Sequence, residues 1–300
     1  MNIRANSWVK IDPALAVEKY MKIIRTPEEM QQAAQALRRD GKTIGFVPTM
    51  GFLHEGHLSL MHIAHERADV LVASIFVNPT QFSPDEDLDA YPRDFERDEK
   101  LCRGAGVDLL FYPSPSTMHL ADHSVWVDET SLTDVLCGAA RPGHFRGVCT
   151  VVTKLLNIVL PDCMVLGEKD AQQLRVLRRL VRDLNFPVDI VSGSTIREAD
   201  GLAMSSRNKR LSPAERAEAV CLFQGLEKAK ERFAAGERDA EVLKAAIREI
   251  IEQTSGLIDY IEIVDDETLQ PVKGVERPAL IALAVKFSGA RLIDNAVLGK

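Results

Sequence analysis

Two histidines three positions apart carry the clearest candidate chemistry in this sequence of 300 residues. His54 and His57 lie between an apolar run that predicts a strand and a pattern that predicts a helix. Unpaired backbone N–H groups and the helix dipole at such a helix start favour phosphate, and imidazoles can add hydrogen bonds to phosphate oxygens. The alternative is one histidine that caps the helix and one that is exposed. The spacing alone leaves both interpretations open.

A zinc site and the common nucleotide-binding loops fit this sequence less well. A zinc-binding helix would carry His-Glu-x-x-His, whereas a single glycine separates Glu55 from His57. Residues 41–43 resemble the end of a Walker A loop, but Ala36 stands where its first glycine should be, and a predicted strand follows rather than precedes it. No Gly-x-Gly-x-x-Gly occurs. Any nucleotide must therefore be held by another device.

Two further polar turns follow other predicted strands. Asn78 and Gln81 come after the apolar run 70–77, and their amides suit neutral recognition of a hydroxyl or carboxylate. Lys169 can meet a phosphate, and Gln173, one helical turn later, can point into the same cleft. Each turn taken alone could equally be an ordinary solvated turn. Because ligands of open α/β sheets bind outside the carboxyl ends of the strands, we favour a common cleft.

Paired serines beside an arginine form a fourth cluster. Ser205, Ser206 and Arg207 lie close to the predicted domain boundary near residue 195. Hydroxyl donors and a permanent guanidinium charge make a flexible phosphate clamp, and a domain junction is where a closing lid would hinge. A polar linker is the alternative, and the sequence alone does not decide between the two.

The elements that must position these side chains alternate over the first two thirds of the chain. Near-continuous apolar strands separated by helices predict a Rossmann-like, doubly wound α/β fold with a parallel sheet. The predicted strands are 43–47, 70–77, 107–112, 163–166 and 188–191, and the predicted helices are 26–39, 57–67, 94–103, 147–160 and 171–184.

The pattern changes after about residue 195. Two predicted helices, 213–235 and 239–254, precede three predicted strands, 257–264, 279–285 and 290–294. Paired helices followed by clustered strands indicate a smaller α+β domain. We therefore predict an N-terminal extension at 1–22, a Rossmann-like domain that binds the ligands at 23–195, and a C-terminal α+β lid domain at 196–300.

The composition excludes several other classes of protein. Forty-four acidic against 37 basic residues give a formal net charge of −7, which excludes a generally basic nucleic-acid binder. No apolar run approaches the roughly 20 residues of a membrane-spanning helix, and the first residues lack the apolar core of a signal peptide. Five cysteines without a Cys-x-x-Cys pair suggest neither a disulfide framework nor a thiolate zinc site. We expect a cytoplasmic protein with no membrane or nucleic-acid partner.

Six ordered motifs resemble the pantoate–β-alanine ligase family of the nucleotidylyl transferase superfamily, from about residue 23 to the C-terminus. They are Pro48-Thr49-Met50-Gly51-x-Leu53-His54-x-Gly56-His57, Ser74-Ile75-Phe76-Val77-Asn78-Pro79-x-Gln81-Phe82, Arg141-Pro142-Gly143-His144-Phe145-Arg146-Gly147-Val148, Gly167-Glu168-Lys169-Asp170-x-Gln172-Gln173, Met204-Ser205-Ser206-Arg207-Asn208 and Ala290-Arg291-Leu292-Ile293-Asp294-Asn295. The stretch 54–57 corresponds to the superfamily's His-x-Gly-His element, and 204–207 resembles its second, mobile signature. Six motifs in order leave little room for coincidence.

The resemblance implies a two-step ligation. Pantoate attacks the α-phosphate of Mg²⁺-ATP to give an enzyme-bound pantoyl adenylate and pyrophosphate. β-Alanine then displaces AMP to form the amide of pantothenate, a precursor of coenzyme A. The residue types fit this chemistry, because attack on a polyanion needs charge compensation and the adenylate must be kept from water. The family also implies a homodimer.

The resemblance further implies roles for individual residues. Catalysis would fall to His54, His57, Lys169, Ser205, Ser206 and Arg207, with His57 as the proton donor. ATP would be bound by Met50, Gly51, Phe52, Leu53, His54, Glu55, Gly56, His57, Gly167, Glu168, Lys169, Asp170, Ile196, Met204, Ser205, Ser206 and Arg207. Gln81 and Gln173 would hold pantoate, with Asn78 beside them, and Gln81 would also lie near the amine of β-alanine. Lys169 would contact phosphate, Asp170 the ribose and Ile196 the adenine side.

Two departures from the family pattern and two alternative functions remain. Thr80 stands where the family usually has methionine, and the first 22 or so residues precede the usual start. The sequence does not reveal the magnesium ligands, because phosphates and water could supply much of the coordination. A nucleotidyltransferase that stops at the adenylylated product is the second candidate function. A nucleotide-binding regulator that keeps the fold without turnover is the third.

Overall fold

The computed structural model describes residues 21–83 and 88–299, which form two β-sheets and the helices packed against them. The first sheet has six parallel strands in the order β1-β4-β3-β2-β5-β6. Its strands are β1 (Lys22–Ile24), β2 (Ile44–Thr49), β3 (Val70–Ile75), β4 (Leu109–Phe111), β5 (Cys163–Gly167) and β6 (Asp189–Gly193). The predicted doubly wound α/β architecture is confirmed.

Helices connect these strands and cover both faces of the sheet. They are α1 (Pro27–Arg39), α2 (Glu55–His65), α3 (Phe95–Gly104), α4 (Pro115–Met118), α5 (Leu136–Ala140), α6 (His144–Val159) and α7 (Ala171–Asp183), with 3-10 helices at Pro79–Gln81 and Glu168–Asp170. The central strands are apolar on both faces because both faces are covered, and Leu71, Val72 and Ala73 of β3 are fully buried. Thr26 caps α1, as the sequence predicts, and its Oγ1 accepts a hydrogen bond from the backbone of Glu29.

The strand order creates a switch point beside β2. From β2 the chain passes to β3 and β4 on one side of the sheet, and it later returns to β5 and β6 on the other side. Connections that leave neighbouring strands in opposite directions open a crevice at the carboxyl ends of those strands. The segments that follow β2 and β5 therefore line this crevice, and they contain His54, His57 and Lys169.

The second sheet is antiparallel, with the order β7-β8-β9. Its elements and the helices before it are α8 (Pro213–Glu218), α9 (Cys221–Ala234), α10 (Ala240–Ile251), β7 (Leu257–Asp265), β8 (Ala279–Lys286) and β9 (Arg291–Leu298), preceded by a 3-10 helix at Ser206–Arg210. This confirms the predicted smaller α+β part. The predicted boundary near residue 195 falls just after β6, and the limits 23–195 and 196–300 stay predictions.

Several element limits differ from those predicted. The single helix predicted over 213–235 is wrong, because a turn at Ala219 and Val220 separates α8 from α9. No residue of α8 is buried, and Ser212 with Glu215 forms its capping box, so α8 is held by its cap while α9 turns inward to pack. The sequence analysis did not predict β1, α4 or α5. Of the predicted extension 1–22, residues 1–20 lie outside the described residues.

A close approach between α6 and the Pro79–Gln81 turn depends on glycine. A Cβ atom on Gly147 would lie 2.3 Å from the carbonyl oxygen of Thr80 and 2.7 Å from the backbone nitrogen of Gln81. Asn78 Nδ2 also donates to the Gly147 carbonyl at 3.2 Å. The helix can lie against the backbone of this turn only because residue 147 has no side chain.

Gly147→Ala should destabilise the protein by about 1–3 kcal/mol, because backbone atoms that cannot rotate away must shift to admit the methyl group. Urea denaturation of the purified variant measures this loss. Gly104→Ala is the matched control, since its added Cβ meets no atom within 4 Å, and we expect a change of no more than about 0.5 kcal/mol there. Equal stability of the two variants would contradict the steric account of Gly147.

Candidate active site

The loop between β2 and α2 is held in place by a buried carboxylate. Asp98 accepts hydrogen bonds from the backbone nitrogens of Phe52 at 2.5 Å and Leu53 at 2.8 Å. Gly51 allows the turn, with φ of +84° and only 3.1 Å between its ideal Cβ position and Asp98 Oδ2. Burial raises the pKa of Asp98 above its usual value, although the two backbone donors oppose that shift. The sequence motifs do not include Asp98, and its one sequence signal is an acid on the buried face of α3, one turn before Cys102.

His54 and His57 face each other at the start of α2. Their ring centroids are 4.1 Å apart. His57 Nδ1 accepts a hydrogen bond from the backbone of His54, and His54 Nδ1 accepts one from the backbone of Gly56. Because each Nδ1 is an acceptor, the proton of each neutral ring is on Nε2. Both rings line the cleft and offer it an N–H donor.

Both histidines are neutral near pH 7. Burial lowers the pKa of His57 to about 3, with a further contribution from His54. Burial also lowers the pKa of His54 to about 4, and the positive charge of Lys169 acts in the same direction. A polyanion in the cleft would oppose these shifts and raise both pKa values.

Gln81 is fixed by the residues around it. Asn78 Nδ2 donates to Gln81 Oε1 at 3.1 Å, and Gln81 Nε2 lies 3.2 Å from the sulfur of Met50. The amide oxygen is thus occupied, and the NH₂ group is the end that can donate to a ligand. Asn78 is itself buried and uses its oxygen to accept from Thr80 and to pair with His119 Nε2.

Two side chains hold the backbone of Gln81 from the other side. His144 Nδ1 lies 2.9 Å from the Gln81 carbonyl oxygen, and Arg141 Nη2 donates to the same oxygen at 3.3 Å. Arg141 also lies 3.1 Å from His144 Nε2. Both residues belong to a motif quoted above, but the sequence analysis gave them no role. They position Gln81 and line the cleft.

The turn after β5 presents Lys169 and Asp170. Lys169 Nζ lies 3.6 Å from Asp170 Oδ1, and about half of the Asp170 side chain is exposed to solvent. The two neighbouring glutamines of α7 differ. Gln172 is buried and uses its amide on the backbone at Leu132, Val135 and Cys137, whereas Gln173 lines the cleft.

A short hairpin carries Ile196 and Met204, and the 3-10 helix Ser206–Arg210 that follows it carries Ser206 and Arg207. Met204 donates its backbone N–H to the Ile196 carbonyl at 3.0 Å, which brings the two strands of the hairpin together. The Ser206 hydroxyl lies 3.4 Å from Tyr91 Oη, and the Arg207 guanidinium lies over the Tyr91 ring, 5.9 Å from its centroid. Tyr91 is a further residue that the sequence analysis did not single out.

These segments meet around one cavity of about 240 Å³. The predicted residues that line it are Met50, His54, Gly56, His57, Asn78, Gln81, Gly167, Lys169, Asp170, Gln173, Ile196, Met204, Ser205, Ser206 and Arg207. The predicted residues outside the lining are Gly51, Phe52, Leu53, Glu55 and Glu168. Gly51 to Leu53 shape the loop through Asp98, Glu55 is exposed, and Glu168 Oε1 accepts from Ser192. A cavity of about 360 Å³ beside β8 and β9 shares Lys169, Arg207 and other lining residues with it.

Metal ligands are sparse here. Within residues 21–83 and 88–299, no group of three or more His, Cys, Asp or Glu side chains could hold a metal ion. Asp170 is the one carboxylate among the described residues that line the 240 Å³ cavity. The same described ranges contain no helix long and apolar enough to cross a membrane.

Comparison with known proteins gives a consistent result. A family model described as pantoate-beta-alanine ligase matches residues 22–297. The pantothenate synthetase of Thermotoga petrophila is 56% identical over 283 residues, which cover 93% of this chain and 100% of that protein. The pantothenate synthetase of Bacillus cereus is 52% identical over 279 residues, with 93% and 99% covered.

Solved structures agree with the sequence comparisons. The pantothenate synthetase of Thermus thermophilus superposes with a TM-score of 0.89 at 44% identity and covers 93% of this chain and 100% of that one. The pantoate-beta-alanine ligase of Francisella tularensis, described as complexed with beta-gamma ATP and beta-alanine, gives a TM-score of 0.78 at 33% identity, with 93% and 98% covered.

The histidine pair predicts a specific pH dependence of stability. Between about pH 6.5 and 4 the unfolded chain binds protons at His54 and His57 that the folded cleft does not, so the free energy of unfolding should fall as the pH is lowered through this range. In His54→Gln/His57→Gln this fall should shrink by roughly 3–5 kcal/mol, because each histidine contributes about 1.4 kcal/mol per pH unit below 6.5 until its folded pKa is reached. Urea denaturation at several pH values gives the slopes.

His65→Gln, at the exposed end of α2, is the matched control for removal of a histidine from the same helix. If the double variant and the wild type lost stability equally between pH 6.5 and 4, the two imidazoles would not be neutral in the folded cleft.

Proposed function

This chain belongs to the pantoate–β-alanine ligase family, and from that premise we propose how its residues join pantoate to β-alanine at the expense of ATP. The enzyme forms pantothenate through a pantoyl adenylate and releases AMP and pyrophosphate. One observation carries the assignment of the site: the histidine pair, Lys169, the 205–207 segment and the two glutamines Gln81 and Gln173 all line the same cavity. Phosphate-binding and neutral-recognition groups thus lie within reach of one another.

The first step needs compensation for negative charge. A carboxylate oxygen of pantoate forms a bond to the α-phosphorus of ATP, and the bond to the pyrophosphate oxygen breaks. Charge accumulates on the leaving pyrophosphate, where the Nε2–H groups of His54 and His57, Lys169 and the 205–207 segment can donate to it. Protonation of His57 on ATP binding supplies a proton for the departing group. His57 is therefore the proposed proton donor.

Recognition of pantoate falls to neutral groups. The NH₂ end of Gln81 faces the cavity because Asn78 occupies its oxygen, and it can donate to the carboxylate or a hydroxyl of pantoate. Gln173 adds a second amide on the α7 side. The apolar side chains of α6 that line the cavity, Val148, Val151, Val152 and Leu155, suit the two methyl groups of pantoate. Asn78 supports this set through Gln81.

The second step replaces phosphate by an amine. The uncharged amine nitrogen of β-alanine attacks the acyl carbon of the adenylate, and the bond from that carbon to the AMP oxygen breaks, with AMP as the leaving group. The nitrogen loses a proton to solvent as the amide forms. Gln81 lies where it can also orient this amine. The cavity must exclude water during both steps, and we assign that role to the 204–207 segment, closing over the triphosphate.

Magnesium fits this site as a companion of ATP. Mg²⁺ commonly keeps several waters and binds through one or two carboxylates together with substrate phosphates. Among the described residues, Asp170 is the one carboxylate of the lining, which suits an ion that arrives with the triphosphate. When bound, Mg²⁺ would neutralise charge on the leaving phosphates. We assign Asp170 to the ribose, with phosphate oxygens and water as the main metal ligands.

The remaining proposals concern assembly and location. Family membership supports a homodimer, and the five unpaired, buried cysteines support a reducing, cytoplasmic environment. The domain limits 23–195 and 196–300 complete this proposal, with the second part carrying the lid.

A half-reaction assay tests the function. Purified protein with pantoate and Mg²⁺-ATP should catalyse pyrophosphate exchange that depends on pantoate. AMP and an amide product should appear only when β-alanine is added. Exchange without amide formation would favour an adenylylating nucleotidyltransferase. Nucleotide binding without exchange would favour a regulator, and either result would overturn the ligase assignment.

Lys169→Ala and His57→Ala should each lower kcat/KM by roughly 10² to 10³, which corresponds to about 3–4 kcal/mol for the loss of one charge-stabilising donor. Steady-state kinetics with saturating β-alanine measure the effect. Lys228→Ala is the control, because it removes a surface lysine whose Nζ lies 3.3 Å from Glu231 on α9. Near-normal turnover of Lys169→Ala would remove Lys169 from the proposed machinery.

A further inference from the structure

Asp294 and Asn295 are adjacent residues of β9 that reach two different segments of the site. Successive side chains of a strand point to opposite faces. Leu292, Ala296 and Leu298 share the Asp294 face and pack in the core of the C-terminal part, whereas Ile293 and Val297 pack against the core of the first sheet. One strand thus contacts both parts of the protein.

Asp294 holds the hairpin that leads to the 204–207 segment. Its side chain is buried, and its two oxygens accept from Arg197 Nη1 at 2.6 Å and Nη2 at 2.9 Å. Arg197 also donates to the Gly201 carbonyl at 3.0 Å and lies over the Phe223 ring, 4.9 Å from its centroid. Arg197 pairs across the hairpin with Ala203, next to the Ile196 and Met204 positions that line the cavity.

Asn295 holds the turn that carries Lys169. Its Nδ2 donates to the carbonyl oxygens of Glu168 at 3.0 Å and Lys169 at 2.9 Å. The amide nitrogen thus contacts two consecutive carbonyl oxygens of the turn. No side chain caps this 3-10 turn at its Gly167 end. The Asn295 amide is therefore a direct side-chain brace on the backbone from which the Lys169 ammonium extends.

The chemistry at residue 294 indicates a role in placement rather than in stability. A buried ion pair is seldom more stabilising than well-packed apolar residues of similar volume, because both charges lose their hydration. On the apolar face of β9 a hydrophobic residue would serve the core at least as well. What an apolar side chain could not provide is the bidentate, directional contact that fixes the Arg197 hairpin.

We propose that Asp294 and Asn295 are positioning residues that use β9 as a common support to hold the Arg197 hairpin and the Lys169 turn at the separation that Mg²⁺-ATP requires. Neither residue needs to touch the substrate. Asp294 acts through Arg197, and Asn295 acts through the backbone of the 168–169 turn. The inference rests on the proposed function, because it takes these two segments as the phosphate-binding walls.

Binding of Mg²⁺-ATP without pantoate, measured by calorimetry, tests the proposal apart from turnover. Asn295→Asp replaces the donor by a carboxylate that faces two carbonyl oxygens, and Asp294→Asn weakens the Arg197 contact. Each should raise the Kd for ATP roughly 10- to 100-fold, the scale of misplacing binding groups by about 1 Å. In kinetic assays, the KM for ATP should rise more than the KM for β-alanine.

Double variants separate the two contacts. Arg197→Gln/Asp294→Asn should weaken ATP binding no more than the worse single variant, because both substitutions remove one contact. Asp294→Asn/Asn295→Asp should instead multiply the two single effects, because the side chains hold different segments. Multiplication in the first pair, or no multiplication in the second, would overturn the proposed division of roles.

Asp259→Asn is the matched control for loss of an ion pair in the same sheet. Asp259 lies on β7, and its carboxylate meets Lys286 at 2.5 Å and Arg291 at 2.8 Å without reaching either site segment. This variant should lower Tm and leave the Kd for ATP unchanged. If it weakened ATP binding as much as Asn295→Asp does, or if the β9 variants bound ATP normally, the positioning role would be wrong. Wild-type protein that binds ATP but forms no amide would contradict the proposed function and leave the positioning role standing.

Discussion

The site depends on one constraint, which is the parallel register of β2 with its two neighbours. Because β3 and β5 flank β2 in the same direction, their chains all leave the sheet at one edge. The connections from β2 and β5 then run to opposite sides, and the crevice between them is the space that a ligand can fill. Residues separated by more than one hundred positions, such as His57 and Lys169, become neighbours for this reason alone.

The side chains that face the cavity are held by other side chains whose hydrogen-bonding atoms are already occupied by protein partners. The amide of Asn78 forms hydrogen bonds with Gln81, Gly147 and Thr80. Because Asn78 binds the side-chain oxygen of Gln81, the NH₂ group of Gln81 is the end that is left for the cavity. The carboxylate of Asp98 likewise accepts hydrogen bonds from the backbone of Phe52 and Leu53. Buried polar groups left without partners cost about 1–3 kcal/mol each, so such supports lock the geometry behind the reacting groups. The division between supporting and ligand-facing residues is visible even between Gln172 and Gln173.

The sequence predicts five of the six parallel strands and part of the cavity lining, because strand periodicity and position at strand ends are local properties. It does not predict β1 or a role for the lining residues Tyr91, Arg141 and His144. His54, Lys169 and Gln173 follow from that logic. The burial of Asp98 and Asp294 does not follow from it, because an acid in a predicted helix or strand is expected to be exposed to solvent. Only the tertiary structure shows that these two acids are buried. The break between α8 and α9 was missed for the same reason, since helix propensity continues through Ala219 and only packing turns the chain. The roles of the lining residues themselves stay predictions.

The global charge of −7 gives no guide to this site, because Lys169 and Arg207 line the cavity together with Asp170, the one carboxylate among the described lining residues. Two imidazolium rings about 4 Å apart would repel each other by about 4 kcal/mol at an effective dielectric constant of 20. Burial keeps both rings neutral in the free protein, and the neighbouring His54 adds to the shift at His57. In the proposed reaction, the negative charge of a triphosphate would oppose these shifts and raise both histidine pKa values. Binding of the polyanion and protonation of the pair would then favour each other.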